Sequence, residues 1–408
     1  MGADHCVLFA DYFDSHELPY GQGLSEAWPR PEEGRPGMRL EVSIEKRLGA
    51  FLLKSEFAVE QETFALLGAS GCGKTMTLKC IAGIEKPDRG RIVLGDRVLF
   101  DSKEKINLPA RERRVGYLFQ EYALFPHMTV RQNITCATKD RDYADELIRR
   151  FCIQDIQNQY PAELSGGQSQ RTALARMLAT KPEVLLLDEP FSALDNYMRT
   201  RMEHVILDLL EEYQGPSILV THDRNEAYRM AQRIGVMEAG MIVEQKEKRA
   251  FFDHPGSVAA ARLTGCKNIS RIHKKEDGTW FAEDWGLTLA APLQGEKALK
   301  EARIDEVTHV GYRAHYFQYV EDKTDDDAME EVLHKPCDRF SCQLERVIED
   351  TFSVVICFTV QGNLSESPDA LMTWVVDMAK WTKVKERVLT GSFCLRMDPE
   401  RLLFLAEA

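Results

Sequence analysis

Residues 68–77 read GASGCGKTMT and follow directly on the apolar run Thr63-Phe64-Ala65-Leu66-Leu67. Gly, four residues, then Gly-Lys-Thr is the spacing of a loop that wraps phosphate. Gly68, Gly71 and Gly73 let the backbone approach phosphate oxygens closely, and successive N–H groups, those of Ala69, Ser70 and Cys72 among them, point inward. A helix expected over residues 75–84 presents its positive dipole end to the anion. Lys74 reaches the β- and γ-phosphates, and the Thr75 hydroxyl holds Mg²⁺. An apolar strand before the loop and a helix after it are the context that gives this motif meaning, so the stretch decides an α/β fold. Met76 stands where a second hydroxyl is common; its backbone N–H remains, which predicts a modest loss of affinity at most.

Working outward, VLLLDEP (184–190) and SILVTHD (217–223) are apolar runs of the kind found in buried parallel strands. A strand ending in Asp188 places a carboxylate at the carboxyl edge of the sheet, beside the phosphate loop, where it holds the Mg²⁺ shell. The adjacent Glu189 is the candidate for orienting or deprotonating an attacking water. MRTRMEHVILDLLEEY (198–213) is an amphipathic helix, and helical patterns recur in RDYADELIRRFCI (141–153) and QSQRTALARMLAT (168–180).

The chain has 408 residues, enough for two or three domains. A net charge of −13 argues against a general nucleic-acid binder. The ten cysteines include no C-x-x-C pair and read as scattered reduced thiols. Residues 1–37 mix Pro, Gly, Asp and His without a sustained period, and strand-like alternation begins at Met38 with MRLEVSIEKRL. They read as a disordered tail or a misannotated start. Beyond residue 265 the texture becomes β-rich, as in HVGYRAHYFQYV (309–320) and FSCQLERVIEDTFSVVICFTV (340–360), with the acidic loop EDKTDDDAMEE (321–331) between them. The expected division is therefore an α/β domain over 38–265 and a small β-rich domain over 266–408.

LSGGQSQR, Leu164 to Arg171, supplies a second set of N–H donors at a helix start expected near Gln168. One nucleotide does not need two cradles from one domain, so the second serves the γ-phosphate held by a neighbouring subunit. LSGGQ resembles the signature of ABC-type ATPases, and the resemblance covers about residues 39–265. It implies a P-loop NTPase (RecA-like) domain with a helical subdomain at about 122–180, carrying ATP and Mg²⁺. Ser165, Gly166, Gly167 and Gln168 then contact nucleotide across a homodimer. Gln120 resembles the Q-loop glutamine that senses Mg²⁺, Asp195 belongs to a D-loop-like SALD, and His222 resembles the switch histidine at the γ-phosphate. For the adenine, KRLGAFLLKSEF (46–57) offers Phe51 or Phe57; Phe51 is the choice, with core packing an equal alternative.

These motifs occur once, with no long coiled coil between them, which is similar to the separate motor subunit of an importer on the cytoplasmic face of the membrane. The resemblance is closest in RRVGYLFQEYALFPHMTVRQNI (113–134), where it is to the molybdate/sulfate group, and the C-terminal segment resembles a small regulatory OB/barrel-like domain. It implies a membrane permease and, indirectly, a solute-binding protein as partners. Residues 267–408 hold 18 basic against 26 acidic side chains, an unhelpful field for an oxyanion. Polyamine, iron or sugar therefore stay open as cargo, and so does a non-transport ATPase that regulates a partner by ATP-driven dimerisation.

Overall fold

The computed structural model describes residues 38–192, 194–276, 279–289, 307–320, 339–365 and 367–407. The expectations for residues 1–37 and for the acidic loop at 321–331 lie outside them. The chain divides into two compact units, the first ending at Arg233 and regaining Ala239–Met241, the second comprising Ile234–Glu238 and Ile242–Ala408.

The first unit begins with a hairpin. β1 (Leu40–Leu48) pairs antiparallel with β2 (Phe51–Val59), from Leu40↔Val59 at the open end to Leu48↔Phe51 at the turn. Gly49, at φ 62°, supplies the left-handed residue that so tight a turn needs. β3 (Thr63–Leu67) leads into the phosphate loop and α1 (Lys74–Ala82). β4 (Arg89–Leu94), β5 (Arg97–Asp101) and β6 (Ile106–Asn107) extend the antiparallel block beyond β1. Helix α1 stops at Gly83, whose φ of 77° suits glycine, and a β-carbon there would stand 2.5 Å from Arg113 Nε. Arg113 is fully buried and donates to Cys80 O, Ile81 O, Leu108 O and Asn107 Oδ1, each at 2.8 Å, so it closes the carbonyl end of the helix.

A parallel block is built from β7 (Val115–Leu118), β8 (Val184–Asp188) and β9 (Ser217–Thr221) together with β3, in the spatial order β3-β9-β8-β7. Every residue of β3, β8 and β9 is buried, which is why their sequences are unbroken apolar runs rather than alternating ones. Between β7 and β8 lie α2 (Val130–Thr135), α3 (Arg141–Arg150) and α4 (Gly166–Ala179). Val130, Ile134, Tyr143, Leu147, Leu174 and Leu178 join these three helices in one core cluster. α5 (Asn196–Glu212) and α6 (Arg224–Met230) flank β9 in sequence.

β10 (Arg233–Glu238) and β11 (Met241–Glu247) are succeeded by α7 (Lys248–Asp253) and α8 (Val258–Leu263). The second unit is β-rich. One sheet orders β14 (Leu287–Leu289), β13 (Trp280–Ala282), β12 (Asn268–Lys274), β15 (Val307–Tyr312) and β21 (Leu403–Ala406). The other orders β16 (Gln318–Val320), β20 (Ser392–Arg396), β17 (Arg339–Glu349), β18 (Ser353–Val360) and β19 (Met372–Asp377). An additional helix, α9 (Met378–Val388), buries Trp381, Val384 and Val388 against this core. No helix among the described residues is long and apolar enough to cross a membrane.

Candidate nucleotide site

The four parallel strands end side by side, and their register sets which residues emerge next to one another. Leu67 pairs with Thr221, Asp188 with Val220 and Leu118 with Leu187. Gly68, His222, Glu189 and Gln120 therefore emerge along one carboxyl edge, the place where open α/β sheets bind ligands. A cavity of about 640 Å³ opens there, lined by Leu48, Phe51, Ser70, Gly71, Gly73, Lys74, Thr75, Met76, Gln120 and Glu189. That volume lies within the usual range for small-molecule sites.

The loop itself has the conformation its glycines allow. Gly71 and Gly73 take φ 82° and 110°, and Gly73 is the N-cap of α1 without any side-chain cap, so the first N–H groups of the helix remain for a ligand. Lys74 is 5% exposed, and its ammonium donates to Gly68 O at 2.8 Å and Ala69 O at 3.0 Å. Cys72 is buried, with its sulfur 3.8 Å from Lys74 Nζ, and lies behind the loop rather than in the cavity wall.

Asp188 is 3% exposed. Thr75 Oγ1 donates to its Oδ1 at 2.9 Å, and Tyr117 OH donates to its Oδ2 at 2.7 Å. Burial raises the Asp188 pKa above the ordinary aspartate value, and the two hydroxyl donors offset only part of that rise. Burial first and then the bond to Asp188 push the Tyr117 phenol up, so it stays a neutral donor. Among the described residues, no cationic side chain forms an ion pair with Asp188. A buried carboxylate next to a hydroxyl, with the charge of Lys79 acting on it but no direct ion pair, suits a hard divalent ion. The described residues hold no cluster of three or more His, Cys, Asp and Glu that could cage a metal.

Glu189 sits at φ 44°, a left-handed conformation that is uncommon outside glycine. Its N–H donates to Val220 O at 2.9 Å, and Ser192 N and Oγ donate to its carbonyl at 3.2 and 3.0 Å. These bonds hold the strained turn and aim the side chain into the cavity wall. His222 Nδ1 lies 3.4 Å from Glu189 Oε2. The buried Glu226 accepts from Thr221 Oγ1, and burial is the main cause of its raised pKa.

Gln120 is exposed at the cavity edge, and the loop after it is tightly held. Asn133 Nδ2 donates to Phe125 O, Met128 O and Thr129 O at 3.2, 3.0 and 3.1 Å, while its Oδ1 accepts from Phe125 N at 2.8 Å.

The LSGGQ residues stand apart from this cavity, because none of Ser165, Gly166, Gly167 and Gln168 lines it. Helix α4 begins at Gly166 rather than near Gln168. Ser165 is its N-cap, accepting from Gln168 N at 3.4 Å while Gln168 Oε1 accepts from Ser165 N at 2.8 Å. Ser165 and Gly166 are not buried, whereas Gly167 is, and a β-carbon there would require the flexible end of Met198 to shift, its Cε standing at 2.1 Å. Asp195 caps α5, accepting from Met198 N at 2.9 Å. Of the two aromatic candidates, Phe51 lines the cavity, whereas Phe57 is 6% exposed and packs on Phe64 at 5.2 Å between ring centroids. Sequence reasoning missed Leu48 and Tyr117. Leu48 was legible as the partner of Phe51 across the hairpin turn; Tyr117 carried no signal, because its bond to Asp188 spans 71 positions.

Residues 55–192 match the model of the ABC transporter family. The putrescine transport ATP-binding protein of Escherichia coli is 40% identical over 239 residues, which cover 57% of this chain and 60% of that protein. The sulfate/thiosulfate import ATP-binding protein of Synechocystis is 37% identical over 238 residues, covering 56% of this chain and 65% of the relative. The match thus spans less than two thirds of those relatives' length. It reaches further in the Fe(3+) ions import ATP-binding protein of Brucella abortus, 38% identical over 273 residues that cover 64% of this chain and 76% of the relative. Sequence kinship of that extent, with the phosphate loop, Asp188 and Glu189 assembled at one sheet edge, shows that the chain belongs to the ABC transporter family, among its ATP-binding proteins.

Proposed function

We propose that this protein is the ATP-hydrolysing motor subunit of an importer for a small solute. The observation that carries the reading is the convergence of Lys74, Thr75, Asp188, Glu189, Gln120 and His222 on four adjacent strand ends. ATP is held with its phosphates in the loop of residues 68–75 and its adenine against Phe51. Thr75 and Asp188, with Gln120, would hold Mg²⁺, and the ion would supply neutralisation of phosphate charge. Glu189 accepts a proton from the attacking water, and His222 steadies both Glu189 and the γ-phosphate. Lys74 leaves its loop carbonyls for phosphate oxygens and stabilises the charge that develops there.

The accessible helix start at Ser165 and Gly166, outside the cavity, supports a shared site. Each of two copies clamps the nucleotide of the other, and closure excludes water. A separate permease and, through it, a solute-binding protein complete the importer at the cytoplasmic face of the membrane. The cargo is a small solute; within that class an oxyanion such as molybdate or sulfate is our narrower proposal. It rests on the 113–134 segment and on the sulfate/thiosulfate relative, while the relatives named for putrescine and Fe(3+) keep cationic cargoes in play.

The test is reconstitution with a candidate permease. ATPase activity should rise with one class of solute, and Ser165→Arg should abolish ATP-dependent dimerisation while nucleotide still binds. Full-speed hydrolysis by a strictly monomeric chain would overturn the shared site.

A further inference from the structure

Asp188 carries a hydroxyl donor on each carboxylate oxygen, from two different elements: Thr75 of α1 on Oδ1 and Tyr117 of β7 on Oδ2. In the function proposed above, on which this inference rests, Thr75 is itself a ligand of Mg²⁺. An ion takes only a lone pair of that hydroxyl, whose proton still reaches Asp188 Oδ1, so Tyr117 is a second and separate restraint on the same carboxylate. Neither Tyr117 nor Asp188 lines the cavity, whereas Thr75 does, so the Tyr117 bond reaches Asp188 without passing through the cavity wall. A carboxylate turns about a soft torsion, and a fixed donor on one oxygen aims the other.

The scaffold around Tyr117 is rigid. Its backbone pairs with Leu186, two residues before Asp188 on the neighbouring strand. Its ring packs against Phe119 with centroids 4.4 Å apart. Three residues further along the same strand exit stands Gln120, in the cavity wall. We propose that Tyr117 is a positioning residue for the divalent-cation site: it holds Oδ2 of Asp188 so that Oδ1 faces the ion beside Thr75, and it ties that carboxylate to the strand bearing Gln120. Tyr117 touches neither nucleotide nor ion.

The experiment uses the full chain with Tyr117→Phe, which deletes one oxygen and keeps the ring that packs on Phe119. Mn²⁺ binding is read from the electron paramagnetic resonance of free Mn²⁺ in the presence of a non-hydrolysable ATP analogue. Affinity for the analogue is measured separately in EDTA. Loss of such a supporting contact should weaken Mn²⁺ binding about 10-fold and change analogue affinity in EDTA by less than about 2-fold. Unchanged Mn²⁺ affinity overturns the proposal, and so does an equal loss with and without the ion, which would mark a merely structural hydroxyl. Asp188→Asn, run in parallel, separates the two levels. If it weakens Mn²⁺ binding and Tyr117→Phe does not, only the role of Tyr117 falls. If neither variant weakens it, the assignment of the cation to Asp188 falls as well.

Discussion

His222 Nδ1 lies 3.4 Å from Glu189 Oε2, although 33 positions separate them, because β8 and β9 are neighbours and end level with each other. Glu189→Gln keeps the shape and the turn while removing the basic oxygen. ATP turnover should fall by about 10²–10⁴ while ATP binding persists. Steady-state hydrolysis and equilibrium nucleotide binding on the same preparation check this, and near-normal turnover would count against the role.

Phe51 and Leu48 stand on either side of the β1–β2 turn and face the cavity. Stacking on an aromatic face recognises a base but not a phosphate. Phe51→Ala should weaken ATP binding by about 10-fold, the order of a lost base–aromatic stack, and leave binding of inorganic tripolyphosphate nearly unchanged. A parallel loss for both ligands would show that Phe51 serves the fold instead.

Arg113 answers four acceptors at 2.8 Å from a position with no solvent exposure. Lysine keeps the charge but has no planar fork, so it leaves buried carbonyls of α1 unpaired. Arg113→Lys should cost about 2–4 kcal/mol of stability. The midpoint of urea unfolding reads this directly; a shift within error would mean that water or a rotated Asn107 replaces the guanidinium.

Burial raises the Glu226 pKa above its ordinary value of 4.5. The folded chain therefore keeps that proton at a pH where the unfolded chain has lost it. Stability must fall as pH rises through the window that opens at the ordinary glutamate value and closes at the folded one. Glu226→Gln, which can still accept from Thr221, should flatten this part of the profile. Thermal unfolding tracked from about pH 4.5 to pH 7 tests the sign, and identical slopes in both proteins would refute it.

Much of the site could be read from the chain because its parts are local. GASGCGKT carries a whole loop in eight residues, and β8 and β9 announce themselves by five consecutive buried positions each. The ends of helices were less legible. α1 closes at Ala82 rather than residue 84 because Gly83 turns left-handed under the guanidinium of Arg113, a group 30 positions away. α4 starts at Gly166 because Ser165 and Gln168 cap each other, a signal that was present in the sequence but read two residues late. Helix α9 went unnoticed although Asp377 caps it and Trp381, Val384 and Val388 keep its spacing; the β-rich text on both sides masked it. Contacts such as Tyr117 with Asp188 had no local trace at all, since only the order of strands brings them together.

Strands in a sheet lie about 4.8 Å apart, and β3, β9, β8 and β7 form four marks of such a ruler. Mutation can change what stands on a mark but not the interval between marks. Chemistry at the phosphate end is thereby gauged by the backbone, and descendants of this chain inherit it with little freedom. The hairpin turn bearing Leu48 and Phe51 is a connection between strands, so side chains there can change without moving those marks.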